Sequence, residues 1–88
     1  MELKTAFGIA LRQQRLSKKL SQEAFSGVSS RTYMSALERG LKNPSLEKIE
    51  DIANTLEIHP LTLLTHCYIL RDDECTEDLL SRVERELL

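Results

Sequence analysis

The segment between Leu20 and Leu46 constrains the fold of this 88-residue chain more than any other part of its sequence. Its pattern predicts a short helix, a tight turn, a second short helix and then a basic loop. Ser21 is placed to cap the first of these helices, and Gly27 is expected to take the left-handed conformation in the turn. The first helix carries Gln22, Ala24 and Phe25. We expect the rest of the chain to support this element or to pair two copies of it.

The second helix of the segment is predicted over residues 30–39, with Ser29 or Ser30 as its cap and Gly40 at its end. Its expected buried stripe is Met34 and Leu37. The side chains expected elsewhere on its surface are Arg31, Thr32, Tyr33, Ser35 and Ala36. Because the helix opens with small polar and basic side chains, it suits end-on insertion into the major groove of DNA, where the base edges are exposed.

Apolar residues in the rest of the chain also recur at helical spacing, and only three glycines and two prolines interrupt them. This pattern predicts an all-α fold with no strands. A first helix is expected over about residues 3–18, and another carries the core face Leu46, Ile49, Ile52, Ala53 and Leu56. His59-Pro60 is a favourable start for a fifth helix, because proline suits the first turn. Its expected apolar face is Leu61, Leu64 and Tyr68, with Leu63 as a further candidate.

A last helix is predicted after the charged stretch Arg71-Asp72-Asp73-Glu74, which interrupts the apolar pattern. Thr76 is its expected cap, with Glu77 and Asp78 in the first turn, where they complement the helix dipole. Its apolar residues are Leu79, Leu80, Val83, Leu87 and Leu88. We therefore divide the chain into a DNA-binding domain over residues 1–66 and a C-terminal helical extension over residues 67–88.

Charge is unevenly distributed along the chain, although the net charge is only −2. Residues 1–44 hold eight Lys and Arg against three Glu, whereas residues 45–88 hold four basic and eleven acidic side chains. Such polarity allows a basic face to meet phosphate while the acidic half points away. There is no run of about 20 apolar residues and no signal peptide, so we expect a cytoplasmic protein.

Several linked motifs resemble those of the lambda-repressor-like helix-turn-helix domains, the XRE family. They are Phe7-Gly8-x-x-Leu11-Arg12-x-x-Arg15, Leu20-Ser21-Gln22-Glu23, Arg31-Thr32-Tyr33, Leu37-Glu38-Arg39-Gly40 and Asn43-Pro44-Ser45-Leu46. The match covers roughly residues 4–65 in the family's order. The resemblance implies a five-helix domain of a bacterial, phage or plasmid type that binds operator DNA, usually as a two-fold dimer.

The resemblance also implies roles for individual residues. Gln22 corresponds to a family residue that contacts a phosphate or a base. The recognition helix opens with Ser30, Arg31, Thr32 and Tyr33, with Ser35 and Ala36 on the same side. Phosphate contacts are expected from Arg39, Lys42 and Asn43. Arg31 is the leading base reader, since a guanidinium matches O6 and N7 of guanine. Arg15 and Glu38 correspond to an internal ion pair of the family.

The chain departs from the family pattern between Gln22 and Arg31, where the interval is about two residues shorter. The short helix or its turn is therefore expected to be trimmed, which leaves open the angle of the recognition helix in the groove.

The apolar residues of the last helix have two possible partners. Leu79, Leu80, Val83 and Leu87 either fold back as core or form a dimer interface. We favour the homodimer, because one short helix reads few base pairs and a small domain gains from burial between chains.

The histidines and cysteines suggest no metal or cofactor. His59, His66, Cys67 and Cys75 lack the paired spacing of a zinc site. A disulfide switch between the cysteines is possible, but a small buried hydrophobe is the commoner role. The predicted function is a sequence-specific transcriptional regulator, with repression favoured over activation; the alternative is a protein-interaction module such as an antitoxin. No grouping of residues supports an enzyme.

Overall fold

The computed structural model describes residues 1–88 as five α-helices and one 3₁₀ helix, with no strands. The predicted all-α fold is confirmed. The elements are α1 (Leu3–Ser17), the 3₁₀ helix (Gln22–Phe25), α2 (Arg31–Glu38), α3 (Leu46–Leu56), α4 (Pro60–Asp72) and α5 (Thr76–Leu87). None of the five α-helices combines the length and the apolar character that a membrane span requires.

The core lies where α1 packs against α2 and α4, with the 3₁₀ helix and α3 closing its sides. One continuous cluster of buried side chains joins these five elements. Its members are Ala6, Phe7, Ala10, Leu11, Phe25, Met34, Leu37, Ile49, Ile52, Leu56, Leu63 and Cys67. Phe25 is fully buried, so even the short 3₁₀ helix contributes a large side chain to the core.

Three positions differ from the core predicted by spacing. Leu46 is 79% exposed because it is the first residue of α3, and the buried stripe of that helix starts at Ile49. Leu61 is 62% exposed, since the inward face of α4 is centred on Leu63 and Cys67. Ala36, expected on the surface of α2, is buried.

Helix ends resolve the alternatives that the sequence left open. Ser30 caps α2, because its Oγ accepts a hydrogen bond of 3.0 Å from the Tyr33 amide. Ser21 occupies the N-cap of the 3₁₀ helix without a side-chain hydrogen bond. Cys75, not Thr76, holds the N-cap position of α5, and Thr76 is the first helical residue.

The turn before α2 does not use a left-handed glycine. Gly40 has a φ of 74°, whereas Gly27 is absent from the residues with positive φ. The chain turns instead because the amides of Val28 and Ser29 both donate to the Phe25 carbonyl at 2.9 Å. The trimmed helix is thus a single 3₁₀ turn followed by a right-handed bend.

Helix α4 continues without a break across the expected domain boundary at residue 66. Cys67, the first residue of the expected extension, is buried in the main core. The break comes at Asp73, which ends α4 in the left-handed conformation. Beyond it, α5 contains no buried residue.

Candidate nucleic-acid interface

Helix α2 is fixed to the domain on one side only. Met34 and Leu37 are fully buried and Ala36 nearly so. Since neighbouring positions on a helix point in different directions, the opposite face of α2 is turned outwards. Arg31 and Thr32 on that face are exposed, and Tyr33 and Ser35 are half-buried. The four predicted contact residues of α2 therefore lie together at its accessible start and outer face.

The C-terminal end of α2 is held by an ion pair with α1. Arg15 donates from Nε to Glu38 Oε2 at 2.6 Å and from Nη2 to Glu38 Oε1 at 2.9 Å. The hydrogen bond to Glu38 raises the pKa of Arg15 above its ordinary value. Arg15 also donates from Nη1 to the Leu20 carbonyl at 2.9 Å, so one guanidinium joins α1, the following turn and α2.

Gln22 lies at the edge of this ion pair. Its Nε2 donates to Glu38 Oε1 at 3.3 Å, and the residue is half-buried. Its side chain is thus tied to the end of α2 rather than extended towards solvent.

A close approach of α1 to α2 depends on Gly8. A Cβ atom at Gly8 would lie 2.5 Å from the Leu37 carbonyl oxygen and 2.7 Å from that of Glu38. The two helices can meet at this point only without a side chain. The resulting contact fixes the end of α2 that leads into the basic loop.

The loop after α2 presents the predicted phosphate ligands to solvent. Arg39 follows the last residue of α2, and Lys42 and Asn43 come before the cap of α3; all three are exposed. Because Gly40 reverses the chain with a positive φ, these side chains flank the end of α2. Backbone-phosphate contacts of this kind set the register of a protein on DNA.

Two further residues of this surface were missed by the sequence analysis. Glu23 Oε1 lies 3.2 Å from Arg31 Nη1, in a pair whose side chains are both more than two-thirds exposed. Lys48 of α3 donates from Nζ to the Val28 carbonyl, and its ammonium lies 5.7 Å from the centroid of the Tyr33 ring. The family motif includes Glu23, but no local pattern in the sequence signals that Lys48 reaches back to the turn.

A second surface feature is an apolar groove between α4 and α5, of about 400 Å³. Charged side chains at its edges include Arg71, Asp72, Arg82 and Glu86. Of the residues predicted for a dimer interface, Leu79 is half-buried and Leu80, Val83 and Leu87 are exposed. The apolar side chains that line it are Leu61, Leu64, Tyr68, Leu79, Leu80 and Val83.

The two cysteines differ in their exposure to solvent. Cys67 is buried and Cys75 exposed, and both thiols are free. Burial raises the pKa of the Cys67 thiol, which keeps it in the unreactive protonated form. No group of three or more His, Cys, Asp or Glu side chains is arranged to hold a metal ion.

Comparison with known proteins decides the family. The family model described as Helix-turn-helix (HTH_3) matches residues 11–63, more than half of the chain. The chain belongs to the helix-turn-helix family. The matched range includes every element from the middle of α1 to the start of α4, and so all of the surface around α2. The XRE-type resemblance drawn from the motifs is confirmed.

This helix-turn-helix chain has relatives among regulatory proteins. It is 46% identical over 65 residues to the control protein C.BamHI of Bacillus amyloliquefaciens, covering 70% of this chain and 80% of that protein. The structure of the restriction-modification controller protein C.AhdI from Aeromonas hydrophila matches with a TM-score of 0.65 and 39% identity, over 68% of this chain and 94% of that one.

The clp gene regulator ClgR from Corynebacterium glutamicum matches with a TM-score of 0.78 and 27% identity. That match covers 94% of this chain and 90% of ClgR. Because α5 has 12 residues, a match of this extent includes part of α5. The chain is thus homologous to DNA-binding transcriptional regulators of the helix-turn-helix class, as predicted. Its relatives are regulators and not enzymes, which is also in line with the sequence analysis.

Proposed function

We propose that this protein represses transcription by binding a specific, near-palindromic DNA operator as a homodimer, with α2 in the major groove. The observation that carries this proposal is the outer face of α2. Its buried residues anchor the helix, while Arg31 and Thr32 at its start remain exposed beside a basic loop. A helix held in this way presents its N-terminal side chains to base edges, as recognition helices do.

Each exposed residue of α2 has a proposed contact. Arg31 donates two hydrogen bonds to O6 and N7 of guanine, which no other base offers in the major groove. Thr32 meets a thymine methyl group or a base edge, and Tyr33 donates from its hydroxyl to a phosphate. Ser30, the cap, and Ser35 lie beside them on the same surface. Sequence preference therefore resides mainly in Arg31, with Thr32 in support.

Phosphate contacts around α2 fix the register of the helix. We assign Arg39, Lys42 and Asn43, in the loop that follows α2, to phosphates. Gln22 is assigned to a phosphate near the same end, because its amide donates to Glu38, the last residue of α2. These contacts supply affinity for any duplex and carry no sequence information.

The proposed dimer interface is the apolar surface formed by α4 and α5. Its support is that Leu80 and Val83 of α5 line one groove with Leu61 of α4, and all three side chains are exposed. Leu87 of α5 is exposed as well, so a single chain fails to cover these side chains. A second copy buries this surface in a symmetric contact, with basic and acidic side chains of α4 and α5 at its edges. Two copies of α2 then lie about 34 Å apart, one turn of duplex.

We propose the direction of regulation on grounds of simplicity and its context from the relatives. Occlusion of polymerase is the simplest effect that binding at an operator has. Since C.AhdI is a restriction-modification controller and C.BamHI a control protein, we propose that the regulated genes belong to a restriction-modification system.

A second candidate is a protein-interaction module that masks a partner, as an antitoxin does. The exposed groove between α4 and α5 favours it, because a different protein could cover the same apolar side chains. This alternative predicts a stable complex through residues 66–88 and weak, unselective DNA binding.

The two functions are separated by selecting bound sequences from a random duplex pool at about 0.15 M salt. A recovered inverted repeat with half-sites one helical turn apart supports the dimeric regulator. The double variant Arg31→Ala/Thr32→Ala is the matched control. Both side chains are exposed, so we expect their loss to keep the fold and to abolish the enrichment. If the wild-type protein enriches no sequence, the protein-interaction module becomes the favoured function.

A further inference from the structure

We infer that Lys48 is a positioning residue for sequence readout, although it lies on α3 and outside the reading helix. It holds the turn before α2 and the first turn of α2 with one ammonium group. The inference rests on the proposed function, since it concerns how α2 is presented to base edges. It assigns a role in base discrimination to a residue that lies outside the motifs of the sequence analysis.

The first contact is with the backbone of the trimmed turn. Lys48 Nζ donates to the carbonyl of Val28, which lies two residues before the Ser30 cap. That carbonyl accepts no backbone hydrogen bond, because it lies between the 3₁₀ helix and α2. Partial burial limits the access of water to this carbonyl, so a protein donor stabilises it. Lys48 supplies this donor from a separate helix and so fixes the position of the chain just before α2.

The second contact is with the reading helix itself. The Lys48 ammonium lies 5.7 Å from the Tyr33 ring centroid, within the range of a cation–π interaction. Tyr33 is in the first turn of α2, and its amide is the one capped by Ser30. The ammonium therefore contacts the chain on both sides of the cap, which restricts the direction in which α2 starts.

Lys48 is itself placed by the loop that leads into α3. Its amide donates to Ser45 Oγ at 3.1 Å, which caps α3 directly after the loop of Lys42 and Asn43. One side chain thus connects the proposed phosphate-binding loop to the start of the proposed reading helix. If the loop fixes the position of the protein on the phosphates, Lys48 couples that position to the orientation of Arg31 at the start of α2.

The shortened interval between Gln22 and Arg31 makes such a connection important. A single 3₁₀ turn replaces a longer helix in front of α2, so fewer local hydrogen bonds orient it. A bidentate contact of arginine with guanine depends on direction as well as distance. Loss of the Lys48 contacts is expected to loosen that direction while the core anchors of α2 stay in place.

The test compares Lys48→Met, which keeps the length of the side chain, with Lys48→Arg, which keeps the charge and the contact with the ring. Lys42→Met is the matched control, because Lys42 is an exposed lysine assigned to a phosphate. For each variant, the dissociation constant is measured on the selected operator, on operators with single base changes and on unrelated duplex, at several salt concentrations. A thermal melt of each variant reports the fold.

We expect Lys48→Met to lower the ratio of operator affinity to non-specific affinity by about tenfold, the discrimination of one base contact. Lys48→Arg should restore most of this ratio. Tyr33→Leu, which removes the ring and leaves Lys48, should lose discrimination at the same base positions. Tyr33→Phe, which removes only the hydroxyl assigned to a phosphate and keeps the ring, should retain that discrimination. The two Tyr33 variants keep the test decisive if Lys48→Met folds poorly.

Two results would overturn the inference while leaving the proposed function intact. An equal loss on all duplexes, with the salt dependence flattened by about one unit of slope, would make Lys48 a phosphate contact like Lys42. A lower melting temperature with an unchanged affinity ratio would make its role structural alone. If the wild-type protein selects no operator, the proposed function and this inference both fall.

Discussion

Arg15 and Glu38 form a doubly hydrogen-bonded ion pair between α1 and the last residue of α2, with N–O distances of 2.6 and 2.9 Å. Their side chains are only 10% and 5% exposed. The pair therefore belongs to the scaffold of the domain. It holds the end of α2 against α1, while Gln22 adds a third donor to the same carboxylate.

Glu38→Ala should destabilise the fold strongly, because it leaves the Arg15 guanidinium in a buried position without its carboxylate. Breaking one side of a buried pair costs about 3–5 kcal/mol. We expect a loss of that size in the free energy of unfolding measured by denaturant titration. Glu50→Ala, an exposed acidic residue of α3, is the control and should change stability by less than about 0.5 kcal/mol. Equal effects of the two substitutions would contradict a structural role for the pair.

Gly8→Ala should also destabilise the fold, although alanine is the better helix former. The added Cβ would meet two backbone oxygens at 2.5 and 2.7 Å, and neither can move without shifting the end of α2. Overpacking of this kind costs about 1–3 kcal/mol. Gly27→Ala is the matched control, since its Cβ meets nothing within 4 Å. A thermal melt should show a lower midpoint for Gly8→Ala alone; a stabilised Gly8→Ala would refute the close approach.

The fold was largely predictable because its helices carry strong local signals. Ser30, one of the two caps offered by the sequence, and Pro60 mark helix starts, and both lie at the start of a helix. The errors arose where periodicity was ambiguous. Helix α4 is apolar on several faces, so spacing alone placed Leu61 inside, whereas packing against α1 selected Leu63 and Cys67.

The candidate site was predictable along α2 but not across elements. Arg31, Thr32 and Tyr33 follow from the family motif and lie together at the accessible start of α2. Lys48 is 20 residues from the carbonyl that it contacts, and that contact depends on how α3 packs beside the turn. The prediction of a left-handed Gly27 was wrong for a similar reason. Backbone hydrogen bonds to the Phe25 carbonyl form the turn, so no left-handed residue is needed there.

Acidification should weaken the fold through His66. The ring accepts from Gln14 Nε2 at Nδ1, at 3.0 Å, and donates from Nε2 to Gln13 Oε1, at 2.9 Å, so the neutral form joins α4 to α1. Burial lowers the pKa of His66 below its ordinary value of about 6.5. The unfolded chain therefore binds a proton more readily, and this contribution is complete above about pH 6.5 and is lost as the pH falls.

The measurement is the free energy of unfolding at about pH 7.5 and pH 5.5, on either side of the ordinary histidine pKa. His66→Gln has no titrating group at this position, so the other acidic and basic groups cancel in the comparison. The wild-type protein should lose more stability on acidification than the variant does. Parallel losses would show that His66 does not couple folding to pH.

Val83→Glu should separate the proposed dimer without disturbing the single chain. Val83 is 40% exposed in the isolated chain, so its replacement has little to disrupt there. In the dimer, the carboxylate would be buried against a second apolar surface, which is costly without a partner. Sedimentation should give twice the chain mass for the wild-type protein and for the control Ser81→Glu, and a single chain mass for Val83→Glu. A dimer that survives Val83→Glu would place the interface elsewhere.

The central claim is that Arg31 at the start of α2 reads a base, whereas exposed basic residues of the following loop hold phosphates. The most direct test measures the dissociation constants of Arg31→Ala and Lys42→Ala on the selected operator, on its single-base variants and on scrambled duplex. Arg31→Ala should cost about 1–3 kcal/mol on the operator and relax preference at one base position.

Lys42→Ala should weaken binding to all of these duplexes similarly and flatten the salt dependence by about one unit of slope. That contrast between the two variants is the result the account predicts. If Arg31→Ala instead lost affinity equally on operator and scrambled DNA, Arg31 would be a phosphate contact and α2 would not read sequence in the way proposed.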